Sequence, residues 1–257
     1  MDPDAEGQSR AYELPSMRCR LSRPPNAIFP SAMSDHDKAG ENHDSARVRQ
    51  IHDRLVAVYP KTRTLLHYKS PFELLISVVL SAQTTDVSVN MVTPDLFAQY
   101  PDAHALSQAN PEDVEPIIKR TGFFRSKSKN IVGAARGLVE RFDGVVPRTM
   151  EELTSLPGVG RKTAHVVRGT LFGEPSIIVD THFGRVTRRL GLHNQKDPLK
   201  IEKALEPKIP SDIAHPFSMR INFHGRDCCE SRKPACWRCP LEDLCEYEEK
   251  RLEAPKE

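Results

Sequence analysis

Leu156-Pro157-Gly158-Val159-Gly160-Arg161-Lys162-Thr163-Ala164 is the stretch on which the reading of the whole chain turns. Two glycines flank one apolar residue, which permits a tight turn whose backbone can come close to a ligand. Upstream, Thr149 with Glu152 makes a capping box before Leu153 and Leu156, so one helix leads into the turn. Downstream, Arg161 and Lys162 open a second helix. Its positive end and the amides of Gly158, Val159 and Gly160 together form an anion site. A bare Gly-x-Gly between helices is an ordinary hairpin. With Leu-Pro before it and Arg-Lys-Thr-Ala after it, the element reads as one that grips a DNA phosphate, with Arg161 beside it, without reading sequence.

Working outward, the signals stay helical. Val48, Ile51, Leu55 and Val58 recur at spacings of three and four, and Pro60 ends the stripe. Ser70-Pro71-Phe72-Glu73 is a capping box with proline at the first helical position, ahead of the apolar run from Leu74 to Leu80. That run is apolar nearly all round, which places it at the centre of a core. Asn110-Pro111 opens a helix that Gly122 can close, and Ile131, Ala134, Ala135, Leu138 and Phe142 form a stripe stopped at Asp143-Gly144. Only Ser176 to Val179 competes as a strand, or equally as an extended connector. The expected fold class is all-α.

Composition agrees with a globular chain of one large or two ordinary domains: 257 residues, 38% hydrophobic and 28% charged. No apolar run approaches the roughly 18 to 20 residues of a membrane span, and no secretory signal is expected. The net charge of +2 hides an asymmetry. Residues 1–46 carry eight acids against five Lys and Arg, which leaves +5 on the remainder. That first segment, with five prolines, Met17, Met33 and Cys19, reads as a disordered or loosely ordered extension. Elsewhere basic residues cluster: Lys119, Arg120, Arg125, Lys127 and Lys129, then Arg161, Lys162 and Arg168, then Arg185, Arg188 and Arg189. Such clusters are solvated helix surface or a nucleic-acid footprint.

Five of the six cysteines fall between 228 and 245. Cys229, Cys236, Cys239 and Cys245 have gaps of six, two and five residues, suited to Zn(II) or to a [4Fe–4S] cluster. Structural zinc usually takes two short pairs separated by a loop; a single Cys-x-x-Cys flanked by lone cysteines favours the cluster. Cys228 reads as an adjacent non-ligand, because neighbouring residues rarely aim at one centre.

Taken together, Leu-Pro-Gly-Val-Gly-Arg-Lys-Thr-Ala at 156–164, Val-Asp-Thr-His at 179–182, Leu-Ser-Ala-Gln-Thr-Thr-Asp at 80–86 and the four cysteines resemble the endonuclease III family, bacterial DNA glycosylases with abasic-site lyase activity from the helix-hairpin-helix superfamily. The resemblance spans about residues 47 to 250. It implies two helical domains flanking a DNA-binding cleft: a six-helix domain at 64–174 ending in the hairpin, and a second domain joining 47–63 to 175–257. The second domain carries the [4Fe–4S] loop at 229–245.

By the same resemblance Lys162 is the nucleophile and Asp180 its acidic partner. Breaking an N-glycosidic bond develops positive charge on the sugar, which a carboxylate stabilises. An amine attacking C1′ displaces the base and leaves a Schiff base from which the 3′ phosphate is eliminated. Desolvation, the helix dipole and Arg161 would favour the neutral, attacking amine. A base must be extruded from the duplex and its gap filled. The family assigns that to positions matched by Gln83 and Phe123, with Ser81, Asp86 and His182 lining the pocket. The expected substrate is double-stranded DNA with oxidised pyrimidines or abasic sites, met by a monomer in the cytoplasm at the nucleoid, with no membrane involved. Two other readings compete. An adenine-type mismatch glycosylase usually lacks lysine at the Lys162 position and carries a longer C-terminal region than the 12 residues after Cys245. A non-enzymatic DNA-binding protein would use the hairpin with structural zinc.

Overall fold

The computed structural model describes residues 43–62 and 64–254, and among them every regular element is helical. Eleven α-helices follow in order: α1 His43–Val58, α2 Pro71–Leu80, α3 Asp86–Gln99, α4 Ala103–Ser107, α5 Pro111–Ile118, α6 Phe124–Phe142, α7 Met150–Thr154, α8 Arg161–Phe172, α9 Thr181–Arg189, α10 Pro198–Leu205 and α11 Ala214–Asp227. Seven of these, two only five residues long, occupy the stretch that the resemblance assigns to six helices. Residues 43–46, expected in the extension, belong to α1. The rest of the extension, with Met17, Cys19 and Met33, lies outside the described residues. Residues 173–180 are an extended connector, not a strand.

Local chemistry explains the helix ends. Ser70 Oγ accepts from Glu73 N at 3.1 Å and Pro71 begins α2, whose Phe72 and Leu74 to Leu80 are all buried. Before α7 the capping box closes both ways, Glu152 N to Thr149 Oγ1 at 3.2 Å and Thr149 N to Glu152 Oε2 at 3.3 Å. Asp143 and Gly144, both at positive φ, end α6.

The apolar faces make two cores. Leu74, Leu75 and Ile76 of α2 sit at the middle of one, with Leu96, Leu106, Ile118, Ile131, Leu138, Leu153 and Val167 around them. The other packs Val48, Ile51 and Leu55 of α1 against Phe183, Val186, Leu205, Phe217 and Ile221. Each such buried side chain contributes about 1.5–3 kcal/mol relative to exposure. Arg220 ties α1 to α11: its guanidinium donates to Tyr59 O at 3.0 Å and Pro60 O at 3.2 Å and meets His52 Nε2 at 2.9 Å. The two cores meet where α8 crosses the start of α11. There His215 lies so close to Gly169 that a Cβ on that glycine would fall 1.9 Å from Nδ1. Arg226 of α11 also reaches Asp86 of α3 at 3.4 Å.

Candidate active site

The hairpin forms as its sequence requires. Val159 N bonds Leu156 O at 3.1 Å, closing the turn over Gly158, which sits at φ +75°. A side chain on Gly158 would meet Asn130 Cβ at 2.8 Å, so here glycine is demanded twice, by φ and by space. Gly160 is the N-cap of α8 at φ −88°, and no side chain caps that helix. A helix leaves its first amides unpaired, so an outside acceptor is wanted at this end. Val159 is buried in the core, whereas Gly158, Gly160, Arg161 and Lys162 are exposed. Lys162 is thus not buried by the chain itself, in contrast to the desolvated pocket the resemblance leads one to expect. The Arg161 guanidinium is turned onto Glu202 of α10, in an ion pair with Oε1.

Asp180 caps the next helix. Its Oδ1 accepts from Phe183 N at 2.8 Å, and its Oδ2 accepts a hydrogen bond from the Asn222 amide of α11. Lys162 and Asp180 thus stand at the N-terminal ends of α8 and α9; α9 packs along α11, and α8 touches its start where Gly169 meets His215. His182 is half-buried as the second residue of α9, and Arg185 Nη2 lies 3.2 Å from its Nδ1. An arginine can only donate, so this nitrogen accepts, and burial holds His182 below its usual pKa, consistent with a neutral ring.

Two further segments carry the expected wedge residues. Gln83 at φ +54° and Phe123 at φ +47° are exposed, non-glycine residues in the left-handed region. Each conformation costs on the order of 1–3 kcal/mol, so the surroundings must impose it. For Phe123 the imposing group is Lys127, whose ammonium donates to Thr121 O at 2.8 Å beneath the turn. Lys127 is 4% exposed and burial lowers its pKa; it is a staple rather than the surface cation its place in a basic cluster suggests. Phe123 is 68% exposed while Phe124 packs against the core, so only the second phenylalanine is a core residue. Ser81 Oγ donates to Val78 O at 2.8 Å at the end of α2, and Asp86, at the start of α3, holds Arg226.

Behind α9 and α11 lies a cavity lined by Cys228, Cys229, Cys236, Cys239 and Cys245. Backbone and arginine donors are aimed at the sulfurs. Leu241 N lies 3.4 Å from Cys239 Sγ, and Arg189 Nη1 lies 3.3 Å from Cys229 Sγ. Arg189 also donates to Glu230 O and Ser231 O and stacks 4.3 Å from the Tyr247 ring, while Arg185 donates to Cys229 O and Gly225 O. Burial pushes the Cys229 and Cys245 thiols up; a hydrogen bond from the Cys228 thiol draws Cys239 down to about 5. Five cysteine sulfurs in one lining, met by N–H donors, suit a soft metal centre. The sequence reading sets Cys228 aside, yet its sulfur is in this lining, and His224, Cys228 and Cys239 offer ligand atoms within 4.8 Å of one another. Cys228 is also the most buried of the five, at 1% exposed.

Sequence reasoning does not single out Asn222, Glu202 or the Lys127 staple. None belongs to a motif; each is defined by what it touches across the fold.

Comparison with known proteins adds an independent line. Residues 76–211 match the family model described as HhH-GPD superfamily base excision DNA repair protein. Over 192 residues the chain is 50% identical to Endonuclease III of Synechocystis sp. (strain ATCC 27184 / PCC 6803 / Kazusa), covering 74% of this chain and 88% of that one. Over 207 residues it is 42% identical to Endonuclease III of Escherichia coli (strain K12), covering 80% of this chain and 98% of that one. The structure of a non-covalent Endonuclease III–DNA complex superposes with a TM-score of 0.74 at 42% identity, over 78% of this chain and 94% of that one. A trapped Endonuclease III–DNA covalent intermediate does so with a TM-score of 0.74 at 41% identity, over 78% and 95%.

Proposed function

The chain belongs to the endonuclease III family of HhH-GPD base excision repair proteins, and from that membership we propose how its residues divide the work of a DNA glycosylase and abasic-site lyase. Lys162 Nζ attacks C1′ of an extruded nucleotide as the N-glycosidic bond breaks and the base departs. Asp180 stands by as a carboxylate, opposing the positive charge that grows on the sugar. The resulting Schiff base acidifies the C2′ proton, and its removal expels the 3′ phosphate by β-elimination. Gln83 and Phe123 fill the space left in the duplex, and Ser81, Asp86 and His182 line the pocket. The amides of Gly158, Val159 and Gly160, with Arg161, hold the backbone phosphate.

The observation that carries the reading is the Asp180 carboxylate, fixed by donors from two helices at the end of α9 while the uncapped end of α8 presents Lys162 beside the hairpin. That a relative has been trapped as a covalent intermediate with DNA supports an attacking protein group. Cys229, Cys236, Cys239 and Cys245 would hold a [4Fe–4S] cluster. When bound, it would close residues 229–245, which follow α11, into one pinned loop and keep Arg232 and Lys233, both exposed, facing the DNA. No described helix is long and apolar enough to cross a membrane. The reading places a monomer on chromosomal DNA in the cytoplasm, at the nucleoid. Activity on duplexes carrying thymine glycol, dihydrouracil, an abasic site or an A:G mispair tests it. Excision and strand cleavage on the first three are expected; cleavage confined to the mispair would overturn the oxidised-pyrimidine assignment.

A further inference from the structure

We propose that Asn222 is a positioning residue for base excision, its amide holding the oxygen of Asp180 that the helix cap leaves open. The inference rests on the catalytic reading of Asp180 given above. A carboxylate used as an N-cap is anchored through one oxygen, here Oδ1 on Phe183 N at 2.8 Å. Oδ2 accepts from Asn222 Nδ2, so the plane of the group is fixed at both ends.

The arrangement of α11 shows why the amide can aim so well. Ser218, Asn222 and Gly225 fall at helical spacings of four and three, on one face. Ser218 Oγ accepts from Ile178 N at 3.2 Å, two residues before Asp180. At Gly225 the absent side chain lets α9 press in, since a Cβ there would lie 2.9 Å from His182 Cβ and 3.1 Å from Val186 Cγ2. Asn222 sits between these two ties and is itself half-buried. The register of α11 against residues 176–186 is therefore set on both sides of the hydrogen bond.

The residue type also matters. A lysine or arginine at this position would pair with Asp180 and cancel the charge that a cationic transition state needs. An uncharged amide orients the carboxylate and leaves the charge in place. Leucine has nearly the same shape and no donor, so Asn222→Leu removes the hydrogen bond with little change in packing.

The test is a double-mutant cycle read by single-turnover excision of a thymine glycol duplex at saturating enzyme, with nicking of a preformed abasic duplex and melting temperature followed in parallel. Asn222→Leu is expected to slow excision by about 10-fold, the scale of one hydrogen bond to a charged group, and to leave DNA affinity, melting temperature and abasic nicking near the wild-type values. In an Asp180→Asn background the same substitution should change excision less than about 2-fold, because the charge being oriented is gone. Asn222→Ser, which keeps a short donor, serves if the leucine variant folds poorly and should lie between the two. Wild-type excision by Asn222→Leu, or an equal loss in the Asp180→Asn background, overturns the proposal. Full excision by Asp180→Asn alone overturns instead the reading beneath it, so the two failures are told apart.

Discussion

Arg161, the first residue after the hairpin glycine, is ion-paired with Glu202 of α10, and the same carboxylate oxygen lies 3.1 Å from His165 Nε2. The hairpin's leading cation thus faces back into the protein. Burial works to raise Glu202, but the hydrogen bonds from Arg161 and His165 outweigh it and hold the carboxyl below its usual range. Arg161 can reach a phosphate only by leaving this partner. Glu202→Gln should therefore free the guanidinium, tighten binding to undamaged duplex and steepen the salt dependence by about one logarithmic unit per unit of log salt, the value for one more phosphate neutralised. Fluorescence anisotropy titrations across a salt series measure both. An unchanged slope would mean that Arg161 stays off the DNA.

The two hairpin glycines should fail differently when changed to alanine. Gly158 has φ +75° and a neighbour at 2.8 Å from any added Cβ, so Gly158→Ala should cost roughly 1–3 kcal/mol of stability and disturb the turn. Gly160 has ordinary φ and nothing within 4 Å of an added Cβ. Gly160→Ala should melt like the wild type but bind duplex more weakly, because the methyl occupies space that a phosphate would approach. Thermal melts with parallel binding curves separate the two; equal behaviour would show that the Gly160 backbone is not a contact surface.

Acid should unfold the protein through its buried histidines. His215 is pushed down to about 4 by burial, where an unfolded histidine titrates near 6.5. Its neutral form is the folded one, so its contribution is complete above pH 6.5 and lost as pH falls toward 4. The shift corresponds to roughly 3 kcal/mol at the acid end. His52, His165, His182 and His193 are lowered as well, with the same sign. Melting temperature followed from pH 7.5 to 4 should drop more steeply for the wild type than for His215→Gln, which cannot take up a proton. Parallel curves would remove His215 as a source of acid lability.

The adjacent cysteines offer a clean comparison. Cys236→Ser should lose iron and visible absorption, melt at a lower temperature and bind DNA weakly, because the C-terminal segment is then held by fewer cross-links. Cys228→Ser should keep its iron, since a hydroxyl can still donate toward Cys239 as the Cys228 thiol does. Iron per protein, measured after anaerobic purification, decides between them. Loss of iron from Cys228→Ser would put that residue in the ligand set.

The helices and their caps were legible in the sequence because they depend on local chemistry: Ser70 with Glu73, Thr149 with Glu152, Gly158 at a turn that needs positive φ. The hairpin was legible for the same reason, its residues being contiguous. What could not be read are the partnerships between distant segments. Lys127 lies in a run of cations, and only the fold shows it buried under the turn that carries Phe123. Arg185 and Arg189 belong to another basic run, yet both are spent on Cys229, 44 and 40 positions further along the chain, a pairing that no periodicity encodes. The sequence offers Arg161 as a candidate phosphate contact but not as the partner of Glu202, because α10 meets the hairpin only in three dimensions.

The last prediction separates the roles of Lys162 and Asp180. A Schiff base between Lys162 and C1′ is reducible, so borohydride should trap a covalent protein–DNA adduct with the wild-type chain. Lys162→Gln should abolish the adduct and strand cleavage yet keep affinity for damaged duplex, because Lys162 is exposed and the hairpin backbone does not depend on it. Asp180→Asn keeps the amine and can keep the cap on Phe183 N, but it removes the charge that opposes the developing cation. Base excision should then slow by about 10²-fold or more, the scale of a positioned electrostatic group. On a preformed abasic site no base has to leave, so the Asp180→Asn chain should nick and be trapped far closer to the wild-type rate. Gel analysis of trapped adducts on both substrates reads all four combinations. A trappable adduct from Lys162→Gln would name another amine as the nucleophile, and equal losses on the two substrates with Asp180→Asn would place Asp180 in both steps rather than in the first.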